Sequence, residues 1–188
     1  MITRSQAWKL LTEKMQNQNL RRHCLAVEAV MQALAKYFKA DIEKWGLVGL
    51  LHDGDYEISK DQPEKHTMLM IKWLSKLGET DPEIISAIKS HNYAHTGNNP
   101  PANQLEWALY CCDELTGLIV AVALVQPTKK LQDVTGESVL KKWPQKAFAA
   151  GVHREQIAKC EEKLDIKLPD FVQISLTAMQ QIAPQIGL

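Results

Sequence analysis

A histidine and an aspartate stand side by side at His52-Asp53, where the apolar run through Leu50-Leu51 stops, and more acid follows at Asp55 and Glu57. Imidazole and carboxylate together suit a divalent transition metal or a hard cation. Adjacent residues do not share a face of a helix, because only residues three or four apart are neighbours there. At a helix end the backbone turns, and both side chains can enter one pocket. Taken alone, such a pair is an ordinary surface dipeptide. Four further side chains of the same chemistry, His23, His66, His91 and Asp113, give it company.

Two of these occupy positions that need a physical explanation. Asp113 lies in the middle of the nearly apolar stretch Trp107 to Val125. A carboxylate there must be paired, metal-bound or protonated, because an isolated buried charge is too costly. The bland alternative is a salt bridge to an arginine or lysine. His23 falls on an apolar helical stripe, where a histidine is usually a hydrogen-bonded core residue. His52 follows His23 by 29 residues and Asp113 follows Asp53 by 60. Spacings so long and uneven exclude a zinc finger and suit a site built between facing helices of a bundle. His95 reads as a loop residue and His153 as a surface one. The chain has no GxxxxGK[ST] or GxGxxG phosphate loop and no Gly-x-Ser-x-Gly elbow. Cys24 neighbours His23, but adjacent helical residues do not face each other.

The elements that must position these residues all read as helices, since apolar residues recur at three and four and strict alternation is absent. Thr3 or Ser5 caps a first helix with Trp8, Leu11 and Met15 inward. A second spans about Leu20 to Phe38, with His23, Val27, Val30, Met31 and Leu34 on one face. Asp41 caps a third, Ile42 to Leu51, whose Gly49 offers bare backbone for a close helix approach one turn before His52. Pro63 fits the first position of a fourth helix ending before Gly78, with His66 in its first turn, in line with Met70, Trp73 and Leu77. Asp81-Pro82 opens a fifth that ends at His91, and a loop through His95 to Pro101 follows. Asn103 caps a long central helix, Gln104 to Val125, stopped by Pro127. Short helical pieces around Ser138 to Trp143 and Phe148 precede closing helices from Arg154 to Leu164 and from near Pro169, the latter carrying Phe171, Ile174, Leu176, Met179 and Ile182.

Composition narrows the classes. Lys+Arg and Asp+Glu number 22 each, so the net charge is zero, and no global attraction to nucleic acid or an anionic membrane is expected. Cys24, Cys111, Cys112 and Cys160 show no CxxC spacing and sit in apolar helical contexts, which reads as reduced core thiols. Met1 to Met15 lacks the apolar core of a secretory leader, so a cytoplasmic protein is expected. The run Trp107 to Val125 has membrane length, but Asp113, Glu114 and Thr116 near its middle make it a buried central helix instead.

The order His23, His52-Asp53, His66, His91, Asp113 resembles the HD-domain superfamily of metal-dependent phosphohydrolases over roughly residues 20 to 125. The phrases Pro63-Glu64-Lys65-His66, Ala87-Ile88-Lys89-Ser90-His91-Asn92 and Cys112-Asp113-Glu114-Leu115-Thr116-Gly117-Leu118-Ile119 are similar to those of a small bacterial subgroup of predicted hydrolases. The resemblance implies an all-α, single-domain helical bundle with a metal site in its core. Residues 1–188 would form the domain, with an HD core at about 20–125 and a C-terminal helical extension at about 126–188. His23, His52, Asp53 and Asp113 would hold a divalent metal (Mn, Fe, Co, Ni, Zn or Mg). His66 and His91 would bind a second ion with Asp53 bridging, or else substrate phosphate or structural water. Two ions about 3.5–4 Å apart would clamp both the attacking and leaving oxygens of a displacement.

The chemistry so implied is hydrolysis of a small phosphate ester, a nucleotide being one candidate, by metal-activated water. Asp53 would orient that water. Glu57 or Asp55 would act as general acid or base, or as acceptors for ligand N–H groups. Lys89, Lys65, Arg22 and Lys129-Lys130 are the candidate cations for phosphoryl oxygens. Trp73, Tyr93, Trp107 and Trp143 are candidates to stack a base, with buried core as the plainer role. The expected partner is a small phosphorylated molecule, with no membrane and no clear nucleic-acid binding. Homo-oligomerisation stays open. Two other readings keep part of this picture: a di-iron oxygenase on the same ligands, and a non-catalytic helical regulatory module.

Overall fold

The computed structural model describes all 188 residues, and its regular structure is entirely helical. Helix α1 (Arg4–Lys14) starts at a capping box in which Thr3 and Gln6 satisfy each other's backbone N–H groups. Helix α2 (Gln18–Phe38) is capped by Asn17, whose side chain accepts from Asn19 and Leu20, and so begins two residues earlier than its apolar pattern implies. Helix α3 (Ile42–Leu51) is capped by Asp41, as its sequence predicts, and His52 is its C-terminal cap residue. The short helix α4 (Tyr56–Ser59) follows.

The fourth expected helix differs from the prediction. Pro63–Lys65 forms a separate 3₁₀ turn, and helix α5 (Met68–Lys76) starts only after a break at His66 and Thr67. Thr67 has φ 72°, a left-handed conformation that a β-branched residue adopts only under constraint. The constraint is Asp55. Its buried carboxylate accepts from the Thr67 N–H and the Met70 N–H, each at 3.0 Å, and so holds the first turn of α5.

Helix α6 (Pro82–His91) has the Asp81 cap and first-position proline that its sequence predicts. The single turn α7 (Tyr93–Thr96) takes in His95 and Thr96, the first two residues of the expected loop. Helix α8 (Gln104–Leu124) is capped by Asn103. Helices α9 (Gly136–Lys142), α10 (Arg154–Leu164), α11 (Leu168–Gln181) and the turn α12 (Ala183–Ile186) complete the chain.

Helices α2 and α8 lie at the centre, with α3 and α11 packed on α2, and α6, α10 and α11 on α8. One contiguous apolar core of 46 buried residues runs through all of them. α8 is long and apolar enough to cross a membrane, but its residues from Leu105 to Ala123 supply much of that core. Ion pairs fasten the helices that carry candidate ligands. Arg4 grips Glu28 with two bonds of 2.6 and 2.8 Å, joining α1 to α2. Lys44 bridges α3 to the start of α6 through Asp81 at 3.0 Å and through Glu83.

Candidate metal centre

The helices bring His23, His52, Asp53, His66, His91 and Asp113 to one point. His52 is fully buried at the end of α3. Its Nδ1–H donates to the Gly49 carbonyl at 2.7 Å, which fixes the tautomer and leaves Nε2 facing the site. That Nε2 lies 3.3 Å from the Nε2 of His23 and 3.5 Å from Asp113 Oδ1. His23 comes from α2, and its Nε2 is 2.8 Å from Asp113 Oδ1. On its far side, Nδ1 is 3.3 Å from the Thr116 hydroxyl, which itself donates to the Asp113 carbonyl at 2.8 Å. Thr116 therefore accepts from His23 and orients the ring.

Asp53 joins the two halves of the cluster. Its Oδ1 is 3.2 Å from both His66 Nε2 and His91 Nε2, and its Oδ2 is 3.7 Å from both His23 Nε2 and His52 Nε2. His91, at the end of α6, also reaches Asp113 Oδ2 at 3.6 Å through Nδ1. His66 donates from Nδ1 to Asp55 at 2.8 Å. Its buried Nε2 approaches Asp53 off hydrogen-bond geometry and has no hydrogen-bond partner.

This donor set fits a divalent cation. Ligand atoms of His23, His52 and Asp113, and again of His52, Asp53 and His91, all lie within 4.8 Å of one another. Several imidazole nitrogens converge on two carboxylates, and one of them, His66 Nε2, is left without a donor or acceptor. A buried nitrogen in that state is costly unless it binds something. Neutral imidazole and carboxylate are the ligands that borderline divalent metals accept.

Without an ion, protons balance the charge. Burial opposes ionising His23, but its bond to Asp113 and the pull of Asp53 win, and its pKa is pushed up to about 9. Burial likewise opposes charging His66, and Asp53 and Asp55 push it up to about 9. His91 shifts the other way, because burial dominates. Burial also opposes ionisation of Asp53 and Asp113, yet the surrounding imidazoles hold both carboxyls well below the usual carboxylate range. The raised pKa values of His23 and His66 stabilise the fold fully below the ordinary histidine value of 6.5. That contribution disappears as pH rises through about 9. Metal-free protein should therefore lose thermal stability between about pH 6.5 and 9. Metal affinity should rise over the same window, because the ion must displace those protons. Melting curves with and without Mn²⁺ across that range check the opposite slopes.

The other expected site residues are placed differently. Asp55 faces away from the cluster centre and acts on it through His66, Thr67 and Met70. Glu57 accepts from the Gln16 and Asn17 backbone N–H groups at 2.6 and 3.1 Å, so its carboxylate is engaged at the turn between α1 and α2. Lys89 is half-buried on α6 and has no ion-pair or hydrogen-bond partner in the cluster. Lys65, Lys129 and Lys130 are exposed. Arg22 is the one candidate cation that lines a cavity beside His23. Trp73, Trp107 and Trp143 pack against the apolar core. Tyr93 and His95 line an open cleft with Tyr110 and His153. All four cysteines are free and buried, and burial pushes each thiol up.

Two supporting residues escape a reading based on ligand chemistry. Thr116 lies one helical turn after Asp113, and that spacing is the only signal for it. Asn92, directly after His91, donates to the carbonyls of Pro63 and His66 at 2.7 and 3.3 Å and ties down the His66 segment.

The role of Asp55 is testable. Asp55→Asn keeps the shape but weakens the hold on the His66 tautomer. A loss of about 10- to 100-fold in metal affinity is expected. The pH–rate profile should keep its form, whereas loss of one limb would mark Asp55 as a proton donor or acceptor in the reaction.

The HD domain model matches residues 20–147. No curated protein and no solved structure gave a match.

Proposed function

Because the chain belongs to the HD domain family, a family of metal-dependent phosphohydrolases, we propose that it hydrolyses a small phosphate ester by activated water. The observation that carries this reading is Asp53, whose two carboxylate oxygens face separate histidine pairs, His66 with His91 and His23 with His52. His23, His52, Asp53 and Asp113 would hold one ion, and His66 and His91 would complete a second place with Asp53 between them. The chemistry such a divalent cation would supply is water of lowered pKa and compensation of charge on phosphoryl oxygens.

The protein's own groups supply the rest. Asp53 stays ionised at neutral pH, because its carboxyl is held far below the ordinary range. It can therefore accept a hydrogen bond from water and aim it. Arg22 presents a guanidinium beside His23, which suits a phosphate oxygen pair. Asp55, Thr116 and the Gly49 carbonyl hold His66, His23 and His52 in their tautomers. We further read residues 1–188 as one domain, since α10 and α11 of the C-terminal part pack on α8 and α2. Four free, buried thiols accord with a reducing compartment.

The decisive measurement is metal content of protein purified without chelators, followed by a panel of phosphomonoesters and nucleotides with Mn, Co, Mg or Fe. One or two equivalents of metal and metal-dependent phosphate release are expected. Two equivalents of iron with oxygen-dependent turnover and no phosphate release would replace the hydrolase by an oxygenase on the same six side chains. Intact fold with no metal bound under any loading condition would leave only the regulatory module.

A further inference from the structure

A cavity of about 480 Å³ opens between α2 and α8 directly beside His23, within the roughly 300–1,000 Å³ of small-ligand sites. From α2 it receives Asn19, Arg22 and Ala26, which share the His23 face. From α8 come Thr116, Gly117, Val120 and Leu124, which continue the stripe of Asp113 away from the cluster. The far side is closed by Ile186, Gly187 and Leu188.

The chemistry of the walls is selective. Ala26, Val120, Leu124, Ile186 and Leu188 make them apolar, and neither a carboxylate nor an aromatic side chain lines the cavity other than His23. The polar side chains are few and partly engaged. Thr116 is committed to His23 and the Asp113 carbonyl, and the Asn19 side chain accepts from Arg22 at 3.4 Å. Apart from His23, Arg22 is the one charged side chain in the walls, and it pairs with no carboxylate side chain. Its guanidinium lies against the bare backbone of Gly187, where a Cβ would come within 2.7 Å of Arg22 Cζ. Gly187 also has φ 76°, so glycine there serves both the turn and the seat of the arginine.

We infer that this cavity seats the organic group of the phosphate ester, and that the group it fits is aliphatic rather than a nucleoside. The inference rests on the phosphohydrolase reading for the phosphate itself. A nucleoside needs a face to stack on and hydrogen-bonding groups for its edges; no ring but that of His23 lines these walls, and besides Arg22 only the Asn19 amide is left for an edge. An alkyl body buries against five apolar side chains, while Arg22 and His23, the one cluster residue in the cavity wall, meet the anionic end.

The test is calorimetric titration of the Mn²⁺-loaded full chain with n-alkylphosphonates from methyl to hexyl, which bind without turnover, and with nucleoside 5′-monophosphates. In the unsubstituted protein each buried methylene should tighten binding by about fourfold. Val120→Phe enlarges a half-buried side chain that lines the cavity. That variant should flatten the dependence on chain length. Leu124→Glu, at a position 51% exposed and therefore tolerant, should weaken only the longer members. Affinity independent of chain length, or tighter binding of nucleoside monophosphates than of hexylphosphonate, overturns the inference. Turnover separates the two claims. A clear chain-length dependence with no hydrolysis of alkyl phosphates upholds the cavity and removes the hydrolase, and phosphate release without that dependence does the reverse.

Discussion

Asp53→Ala is expected to lower kcat/KM for phosphate-ester hydrolysis by about 10³-fold or more, since several kcal/mol of charge stabilisation leave with a displaced ion. Asp53 is the only residue whose carboxylate reaches all four histidines, at 3.2 Å on one side and 3.7 Å on the other. Its removal dismantles the His52–Asp53–His91 trio outright. His23, His52 and Asp113 remain as a weaker set, so metal content should fall rather than persist at two equivalents. Imidazole titration in the metal-free variant gives an independent reading. His66 should return toward its ordinary value, because Asp53 is a principal cause of its rise. His23 should fall less, since Asp113 still holds it at 2.8 Å. An Asp53→Ala protein that turned over substrate at the unsubstituted rate would refute the catalytic assignment.

Gly49→Ala should damage both fold and site, although no atom of Gly49 lies among the ligands. A Cβ there would sit 2.9 Å from the Glu28 backbone N and Cα and from the Val27 carbonyl. No flexible side-chain tip is available to yield; helix α2 itself must move away from α3. Overpacking of this kind costs about 1–3 kcal/mol, and chemical denaturation should register it as a lower midpoint with an unchanged slope. The same separation moves His52 on α3 away from His23 on α2, whose Nε2 atoms are 3.3 Å apart. Displacements near 1 Å cost about 10²-fold in rate, so activity should fall further than stability accounts for. A variant as stable and as active as the parent would show that α2 and α3 can separate freely, contrary to the packing described.

The sequence is legible where a local rule has few alternatives. Asp41, Asp81-Pro82 and Asn103 announce the starts of α3, α6 and α8, because an orphaned N–H needs an acceptor and proline suits the first turn. His52-Asp53 at the end of an apolar helix, and Asp113 inside one, mark themselves as chemistry through the cost of burying charge. Gly49 one turn before His52 signals a close helix crossing. Those features, with the order of the histidines, define an all-α fold of the HD type and the six side chains that meet in it.

The remainder depends on residues distant in sequence. The break between the Pro63 turn and α5 could not be read from a pattern that continues in helical register through His66, Met70 and Trp73. It exists because Asp55, buried beneath, captures the Thr67 and Met70 N–H groups and holds Thr67 in a left-handed turn. Charge alone likewise made Asp55, Glu57 and Lys89 resemble reacting groups, whereas their partners place Asp55 behind His66 and Glu57 at the α1–α2 turn. The cavity beside His23 is closed by residues more than 160 positions further along the chain. Sequence alone determined which side chains carry charge or could hold a metal and where helices begin, since caps and burial costs are local. Only tertiary structure decided which carboxylate faces the site and which supports it, because the direction of a side chain is set by neighbours brought together in folding.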